Sequence, residues 1–325
     1  MNITKEEFKS INTKQNIFEY TLTNKNGLRI KIINYGSTIS SIEIPTVNGL
    51  QNIVLGFNNL DNYLSFEYIE NCPYFGATIG RFANRINKGQ FILNNKKYQL
   101  YCNQQPHHLH GGKVGFDKKF WDAEIIHGEK NTSFLKMTYI SPDMEEAFPG
   151  NVKINIIYSL TEDNQFTIEY FAVTDKATPI NITNHTYFNL TGEKSSILNH
   201  RLKINADKYL ITDERLIPTG EIKDVANTDF DFRKSKTIKQ KFDNSFVLNK
   251  DNSLSVLSSP DEKVSVEIKT TQPSMQLYTG YYKTISGIAL EPQAFPDAPN
   301  HANFSSCVLN PNDTYYQKTK YKFNF

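Results

Sequence analysis

The sequence has no long apolar run. Its first ten residues, MNITKEEFKS, include no hydrophobic segment of the kind that directs secretion, and no later stretch approaches the length needed to cross a bilayer. We therefore expect a cytoplasmic protein that makes no contact with a membrane.

Cysteine is also scarce. The chain contains three, Cys72, Cys102 and Cys307, which are odd in number and widely separated. Such a set does not form a disulfide framework, and none of the three belongs to a C-x-x-C pair that would bind a metal. We expect reduced thiols, as in cytoplasmic proteins.

Neither charge is in excess. Lys+Arg 36 against Asp+Glu 34 leave a net charge of +2, and the basic residues are scattered rather than gathered into one stripe. Proteins that bind nucleic acids usually present a basic patch. The composition therefore predicts that nucleic acid is not a partner.

The periodicity that dominates the chain is that of β-strands. Apolar and polar residues alternate over 18–22 and again over 28–32, and Asn26-Gly27 between them indicates a hairpin turn. The same alternation recurs at 152–158, 166–170 and 264–268, and residues 91–93 and 98–100 form another predicted hairpin. Short strands separated by Asn-, Asp- and Gly-rich turns are typical of an antiparallel sandwich or barrel.

Helical periodicity is nearly absent. Only residues 59–64 and 143–147 have a pattern that suits a turn or so of helix. No Pro-, Ser- or Gly-rich linker and no shift in composition divides the chain. We predict one large all-β domain over residues 1–325, an antiparallel β-sandwich with only short helical turns.

Three segments depart from the alternation, and such departures tend to mark functional sites. The first, 76–112, contains His107, His108 and His110. The spacing of His108 and His110 would place both on one face of a strand, as a metal site needs. No acidic or Cys residue lies close in sequence to complete a ligand set. Solvated or hydrogen-bonded loop imidazoles are therefore favoured, and no metal is predicted.

The other two segments, 181–192 and 290–301, each contain a residue suited to acid–base chemistry. His185 has apolar residues on both sides, which predicts a position on a strand. Glu291 follows an apolar run, so its carboxylate should be either paired or functional. The residues alone leave structural alternatives open: a core histidine for His185 and, for Arg85, a surface salt bridge.

Eight motifs together resemble the aldose 1-epimerase (galactose mutarotase) family. They occur in the family's order, and the resemblance covers most of the chain, roughly from Gly76 to Asn303. Two departures, Met144 where the family often has glycine and Ser305 where proline is frequent, touch no residue assigned to chemistry. The motifs are G-R-F-A-N-R-I-N-K-G at 80–89, H-L-H-G-G at 108–112 with G-F-D at 115–117, E-E-A-F-P-G-N at 145–151, T-N-H-T-Y-F-N-L-T-G at 183–192, L-I-P-T-G at 216–220, F-D-F-R at 230–233, T-Q-P-S-M-Q-L-Y-T-G at 271–280 and L-E-P-Q-A-F-P-D-A-P-N-H at 290–301.

The resemblance implies a large sandwich of many antiparallel strands, the galactose mutarotase-like supersandwich, with a sugar cleft across one concave face. It implies a cofactor-independent isomerase that interconverts the α and β anomers of a free aldose such as galactose or glucose. The family's acid histidine corresponds to His185 and its base glutamate to Glu291. Its sugar-binding positions correspond to Asn84, Arg85, His110, Asp243 and Gln276.

This reaction suits a carboxylate and an imidazolium. Anomers exchange when the ring opens and recloses on the other face, which needs a proton removed from the C1 hydroxyl and another supplied to the ring oxygen. Groups on opposite sides of that bond can do both and then exchange roles. Glu291 is accordingly expected to be ionised near neutral pH, and His185 to be substantially protonated.

Three alternatives stay open. A same-fold epimerase acting on a hexose 6-phosphate would need extra basic residues beside the cleft, and the sequence places only Arg81 and Arg85 there. A non-catalytic carbohydrate-binding module would be expected to lack His185 or Glu291. A metal-dependent hydrolase would lose activity to a chelator. The preferred aldose, the aromatic residues that stack on it, and the choice between monomer and homodimer are also open.

Overall fold

A computed structural model describes residues 2–10, 16–71, 73–129, 132–192, 196–250, 254–282 and 285–325. Strands dominate these residues, and the strands of the three largest sheets pair antiparallel. The predicted all-β class is confirmed. Cys102 and Cys307 are free thiols, as expected, whereas Cys72 lies outside the described residues.

The helices are short. In the described chain the α-helices are α1 (Leu60–Tyr63) and α2 (Phe66–Asn71), and 3₁₀ turns occupy Asn87–Gly89, Phe116–Lys118, Glu145–Ala147 and Ala298–Asn300. The Asn59 side chain caps α1 by accepting a hydrogen bond from the Asn62 amide at 2.9 Å. The helical turns predicted at 59–64 and 143–147 are confirmed. Among the described helices, none has the length and hydropathy needed to cross a membrane.

The first sheet has five strands in sequential order: β1 (Asn2–Glu7), β2 (Phe18–Thr23), β3 (Arg29–Ile33), β4 (Thr38–Thr46) and β5 (Gly49–Asn52). The predicted hairpin is β2 with β3. Its turn is held by Asn24, whose side-chain oxygen accepts hydrogen bonds from the amides of Asn26 and Leu28, both at 3.1 Å. Gly27 has φ +83°, a conformation that glycine adopts without strain.

The second sheet has nine strands and forms the largest layer. Its order is β11 (Asp122–His127), β12 (Ser133–Ser141), β13 (Val152–Leu160), β14 (Gln165–Thr174), β28 (Tyr315–Asn324), β24 (Ser265–Thr270), β23 (Leu254–Ser258), β18 (Arg201–Lys203) and β21 (Lys236–Thr237). The strands predicted at 152–158, 166–170 and 264–268 are β13, β14 and β24. β28 lies between β14 and β24 and pairs with both.

The third sheet has six strands and carries three of the seven residues of the site described below. Its order is β17 (Tyr187–Phe188), β26 (Ile285–Gln293), β25 (Ser274–Tyr282), β22 (Asp243–Val247), β19 (Lys208–Thr212) and β20 (Pro218–Asp224).

Four two-stranded pairs complete the described strands. They are β6 (Thr78–Ile79) with β16 (Thr183–Asn184), β7 (Arg85–Ile86) with β10 (His108–Leu109), β8 (Gln90–Leu93) with β9 (Lys96–Gln99), and β15 (Thr178–Pro179) with β27 (Val308–Leu309). The hairpin predicted through Asn94-Asn95 is β8 with β9, and both asparagines have positive φ.

One hydrophobic core joins the three large sheets. Ile30 of the first sheet, Ile156 of the second and Leu277 of the third are all fully buried in the same cluster. Successive side chains of a strand point to opposite faces of the sheet, so every second side chain packs into this core and the others face solvent or the cleft. A shared core supports the single domain over 1–325, which stays a prediction.

Arg81 is a charged residue inside this fold, with 2% of its surface exposed. Its Nη1 donates hydrogen bonds to the carbonyls of Pro149 and Gly150 at 2.8 and 3.0 Å. Its Nη2 donates to the Ser141 hydroxyl at 2.6 Å and to the Pro142 carbonyl at 3.1 Å. The guanidinium therefore fixes the loop between β12 and β13.

Replacing Arg81 should destabilise the protein strongly. Arg81→Met leaves several buried acceptors without donors, each costing about 1–3 kcal/mol. We expect the free energy of unfolding, measured by urea denaturation, to fall by about 3 kcal/mol or more. Arg29→Met, at an exposed position of β3, is the control and should change it by about 0.5 kcal/mol or less. Equal urea denaturation midpoints for Arg81→Met and Arg29→Met would contradict this role of Arg81.

Candidate active site

All seven residues that the family resemblance assigned to catalysis or sugar binding line one cleft of about 750 Å³. They are His185, Glu291, Asn84, Arg85, His110, Asp243 and Gln276. The fold brings together positions as far apart in the chain as Asn84 and Glu291. The alternative of Arg85 as a surface salt bridge is wrong, because its side chain is buried in this cleft.

Three adjacent strands of the third sheet present the polar floor of the cleft. Gln276 on β25 lies opposite Glu291 on β26 and opposite Ser245 on β22, so the three share one face. Ser245 Oγ donates to Gln276 Oε1 at 2.5 Å, and Gln276 Nε2 donates to Asp243 Oδ1 at 2.6 Å. These two bonds fix the amide and direct its nitrogen toward Asp243.

His185 lies in the short loop between β16 and β17, so its predicted position on a strand is wrong. The loop backbone is tied to residues 76–77, because the His185 amide donates to the Ala77 carbonyl at 2.9 Å and the His185 carbonyl accepts from the Gly76 amide at 3.0 Å. The Asn184 side chain adds a bond to the Gly76 carbonyl at 2.8 Å. These bonds satisfy the backbone without a continuous strand.

His185 and Glu291 meet in the cleft. Nε2 of His185 lies 3.6 Å from Oε1 of Glu291, and both side chains are almost fully buried. Within the described residues, Oε2 of Glu291 has no hydrogen-bond partner. An unpartnered oxygen on a buried carboxyl carries a desolvation cost that a bound hydroxyl would relieve.

Burial sets the protonation of this pair. It lowers the pKa of His185 to about 3. Burial also raises the pKa of Glu291 well above its usual range, and the nearby Asp243 raises it further while Arg85 opposes the shift. In the protein alone, burial therefore favours the neutral form of each group. This is the reverse of the expectation of an ionised Glu291 and a protonated His185, because burial penalises charge on both groups.

Asn84, Arg85 and His110 form the opposite wall. The Asn84 amide donates to Nδ1 of His110 at 3.1 Å, which leaves Nε2 of that imidazole as the atom that carries the proton. Burial lowers the pKa of His110 well below its usual range, and the nearby His185 lowers it further, so the ring stays neutral. Arg85 Nε donates to Gln104 Oε1 at 2.8 Å, which fixes the guanidinium in the cleft.

The other histidines of the first segment lie apart from this wall. His108 is fully buried, and its Nδ1 is 2.8 Å from the Tyr101 carbonyl. β10 ends at Leu109 and His110 has φ 50°, so His108 and His110 do not share a strand face. The favoured interpretation of hydrogen-bonded imidazoles is confirmed for His108, although the ring is buried rather than solvated.

One group of potential metal ligands occurs among the described residues. Atoms of His110, His185 and Glu291 lie within 4.8 Å of one another. Nδ1 of His110 already accepts the Asn84 amide, so that ring offers only Nε2. Three side chains this close together could equally surround one small polar ligand with hydrogen-bond donors and acceptors. The absence of a bound metal stays a prediction.

Sequence reasoning missed several residues of the cleft. The aromatic side chains that line it include Tyr74, Tyr187 and Tyr278, and the basic ones include Lys113 and Lys118. Arg81, which the sequence placed beside the cleft, bonds instead to the 141–150 loop, so that placement is wrong. The motifs identified the segments that line the cleft but not which side chains of each strand face it.

Comparison with known proteins gives the same family over most of the chain. Residues 19–322 match the sequence profile of the family described as Aldose 1-epimerase. An aldose 1-epimerase of Haemophilus influenzae is 39% identical over 93% of this chain and 94% of that relative. A human galactose mutarotase is 38% identical over 91% of each chain.

Solved structures agree with the sequence comparison. A galactose 1-epimerase from Lactobacillus acidophilus superposes with a TM-score of 0.87 and 30% identity, covering 99% of this chain and 98% of that one. An aldose epimerase homologue from C. elegans has a TM-score of 0.84, with 29% identity and 94% of this chain covered. The resemblance drawn from the eight motifs and the predicted sandwich fold are confirmed.

Burial of His185 should make the protein sensitive to acid. The pKa of its imidazole is about 6.5 in the unfolded chain, and burial lowers this pKa to about 3 in the fold. Between these values only the unfolded chain binds the proton, so stability falls as pH is lowered. The free energy of unfolding should fall by about 1.4 kcal/mol per pH unit below the pKa of the unfolded imidazole. Between about pH 7.5 and about pH 5, we therefore expect the free energy of unfolding to fall by about 2 kcal/mol more for the wild type than for His185→Gln.

Urea denaturation at the two pH values measures this difference. Glu291 is present in both proteins, so its own titration contributes similarly to each. His127→Gln, at an exposed histidine outside the cleft, controls for the loss of an imidazole. Identical pH dependence of the wild type and His185→Gln would show that burial does not suppress the charge on this ring.

Proposed function

Because the chain belongs to the aldose 1-epimerase family, we propose that it interconverts the α and β anomers of a free aldose in this cleft. His185 is the general acid and Glu291 the general base. The observation that carries the proposal is the 3.6 Å between Nε2 of His185 and Oε1 of Glu291. Two proton carriers at this separation can serve two oxygens bonded to one carbon.

The proton movements follow from the chemistry of a hemiacetal. The Glu291 carboxylate takes the proton of the C1 hydroxyl, the C1–ring oxygen bond breaks, and the ring oxygen takes a proton from the His185 imidazolium. Rotation about C1–C2 turns the other face of the aldehyde toward the ring oxygen. The same transfers in reverse close the ring, so the enzyme ends unchanged.

The protonation that burial favours matches the state of the pair after the proton transfers of ring opening. After ring opening Glu291 is protonated and His185 is neutral, which is the distribution that the buried site itself prefers. Hydroxyl donors of the bound sugar would favour the carboxylate before opening. The site therefore favours the state of the pair that accompanies the open chain, and the bound sugar and the groups around His185 must favour the ionised pair before opening.

Binding of the sugar is assigned to five residues around the pair. Arg85 retains Nη donors beyond the Nε bonded to Gln104. Nε2 of His110 faces the cleft as a donor, and Asp243 and the Gln276 amide supply directional acceptors and donors. Asn84, which holds His110, completes the set. Their fixed geometry orients the ring against the acid and base.

A hexose 6-phosphate is the alternative substrate, because two lysines line the cleft. Lys118 forms an ion pair with Asp117 at 2.7 Å, which balances its charge, so among the described lining residues Lys113 is the lysine left to add to Arg85. A free aldose stays the proposed substrate. A comparison of galactose and glucose with glucose 6-phosphate, followed by optical rotation, distinguishes the two classes.

We also propose a cytoplasmic protein folded as one domain, with a small aldose as its partner and with neither nucleic acid nor a membrane bound. No cofactor takes part in the proposed steps. Monomer and homodimer are both compatible with these assignments.

Removing the base should nearly abolish activity. Glu291→Gln keeps the size of the side chain but cannot take a proton, so kcat for mutarotation of fresh α-D-galactose should fall by about a hundredfold or more. Polarimetry measures the rate, and circular dichroism checks the fold. Glu124→Gln, at an exposed residue of β11, is the matched control. Near-full activity of Glu291→Gln would remove this residue from the mechanism.

Removing the acid should be similarly costly. His185→Asn keeps a polar side chain but cannot donate a proton from a cation, so we expect a loss of about a hundredfold or more in kcat. KM should change less, because the sugar-binding residues remain. A loss confined to KM would instead make His185 a binding residue.

A further inference from the structure

Two tyrosine rings lie nearly parallel to the His185 imidazole. The Tyr187 ring is 4.7 Å from it at an interplanar angle of 26°, and the Tyr74 ring is 5.8 Å from it at 25°. The face of an aromatic ring carries negative charge density and attracts a cation placed over it. These rings therefore favour a protonated imidazole at a place where burial opposes one.

The Tyr187 ring lies in a slot formed by two glycines. Gly280 and Gly287 are partners across β25 and β26. A methyl group on Gly280 would collide with Cε1 of Tyr187, and one on Gly287 would lie 2.6 Å from Tyr187 Cβ. Neither glycine has the positive φ that would itself require glycine. Both positions are therefore small because the tyrosine occupies the space.

Further contacts fix the ring from other sides. Phe75 and Tyr278 pack edge-on against Tyr187 at 5.4 and 6.0 Å between ring centroids. The Tyr187 carbonyl accepts a hydrogen bond from the Leu55 amide at 2.9 Å. The backbone pairs with Ala289 of β26, the strand that also carries Glu291. The position of the ring is thus tied to the strand of the base.

We propose that Tyr187 is a positioning residue for the acid step: seated in the Gly280–Gly287 slot, its ring holds the plane of the His185 imidazole and favours its protonated form. It acts through His185 rather than on the sugar. The inference rests on the proposed function, since it assigns a role within the same reaction. A misplacement of about 1 Å at a catalytic group can cost about a hundredfold in rate.

The test is the pH dependence of kcat and KM for galactose mutarotation in four variants. Tyr187→Leu removes the ring, and Tyr187→Phe keeps it. Gly280→Ala fills the slot and displaces it. Tyr209→Leu is the control, because Tyr209 is a buried tyrosine on β19 of the same sheet and stacks on Phe230 at 4.3 Å, outside the cleft.

For Tyr187→Leu we expect kcat to fall about tenfold or more with KM within about twofold, because orientation rather than binding is lost. The alkaline limb of the kcat profile should move to lower pH, since an imidazolium without the ring is less stable. The titratable groups facing the imidazole are Glu291, His110, Tyr74, Tyr187 and Tyr278. All but Tyr187 are unchanged in the variant.

The other variants separate positioning from structure. Tyr187→Phe should retain at least about half of kcat, and Gly280→Ala should resemble Tyr187→Leu. Tyr209→Leu should be less stable than the wild type but keep its kcat and the position of the alkaline limb of its kcat–pH profile. If Tyr187→Leu shows no cooperative unfolding transition and is therefore not properly folded, Gly280→Ala decides whether Tyr187 positions His185.

Two results would overturn the inference. If the wild type is active and both Tyr187→Leu and Gly280→Ala keep its kcat and pH limb, Tyr187 has no positioning role although the proposed function stands. If the wild type does not accelerate mutarotation, the proposed function fails and this role fails with it.

Discussion

Two buried ionisable groups 3.6 Å apart are the constraint on which the rest of this structure depends. Burial disfavours charge on each of them, so the fold must supply the restraint that their own attraction does not. Glu291 is held by β26, which pairs with β25 over its whole length. His185 comes from a loop whose backbone is bonded to residues 76–77. The pairing of β25 with β26 and the backbone bonds of the His185 loop thus together maintain the distance between His185 Nε2 and Glu291 Oε1.

Polar neighbours of the pair are themselves restrained. The Gln276 amide is bonded at both ends, by Ser245 and to Asp243, and Arg85 is bonded by Gln104. A side chain that is already ordered loses little entropy when it binds a ligand. The cleft is therefore organised before the sugar arrives, which suits a reaction whose catalytic groups must meet two oxygens of one carbon.

Much of this fold could be predicted from local patterns, and the rest depended on distant contacts. Alternation identified β13 and β14, because strand faces differ in burial, and Asn26-Gly27 marked the first hairpin. Pairs such as β6 with β16 have two residues per strand, too few for any periodicity. The family motifs named the residues of the cleft. They did not reveal that His185 lies in a loop, or that Arg81 bonds away from the cleft, because both follow from partners far along the chain.

The position of β28 has a consequence for how the protein is made. This strand is synthesised after all of its sheet partners, yet it lies between β14 and β24. Before β28 is in place, β14 and β24 each have an unpaired backbone edge, and such edges can recruit strands from other chains. A chain that stops before residue 315 therefore cannot complete its largest sheet and is prone to aggregate.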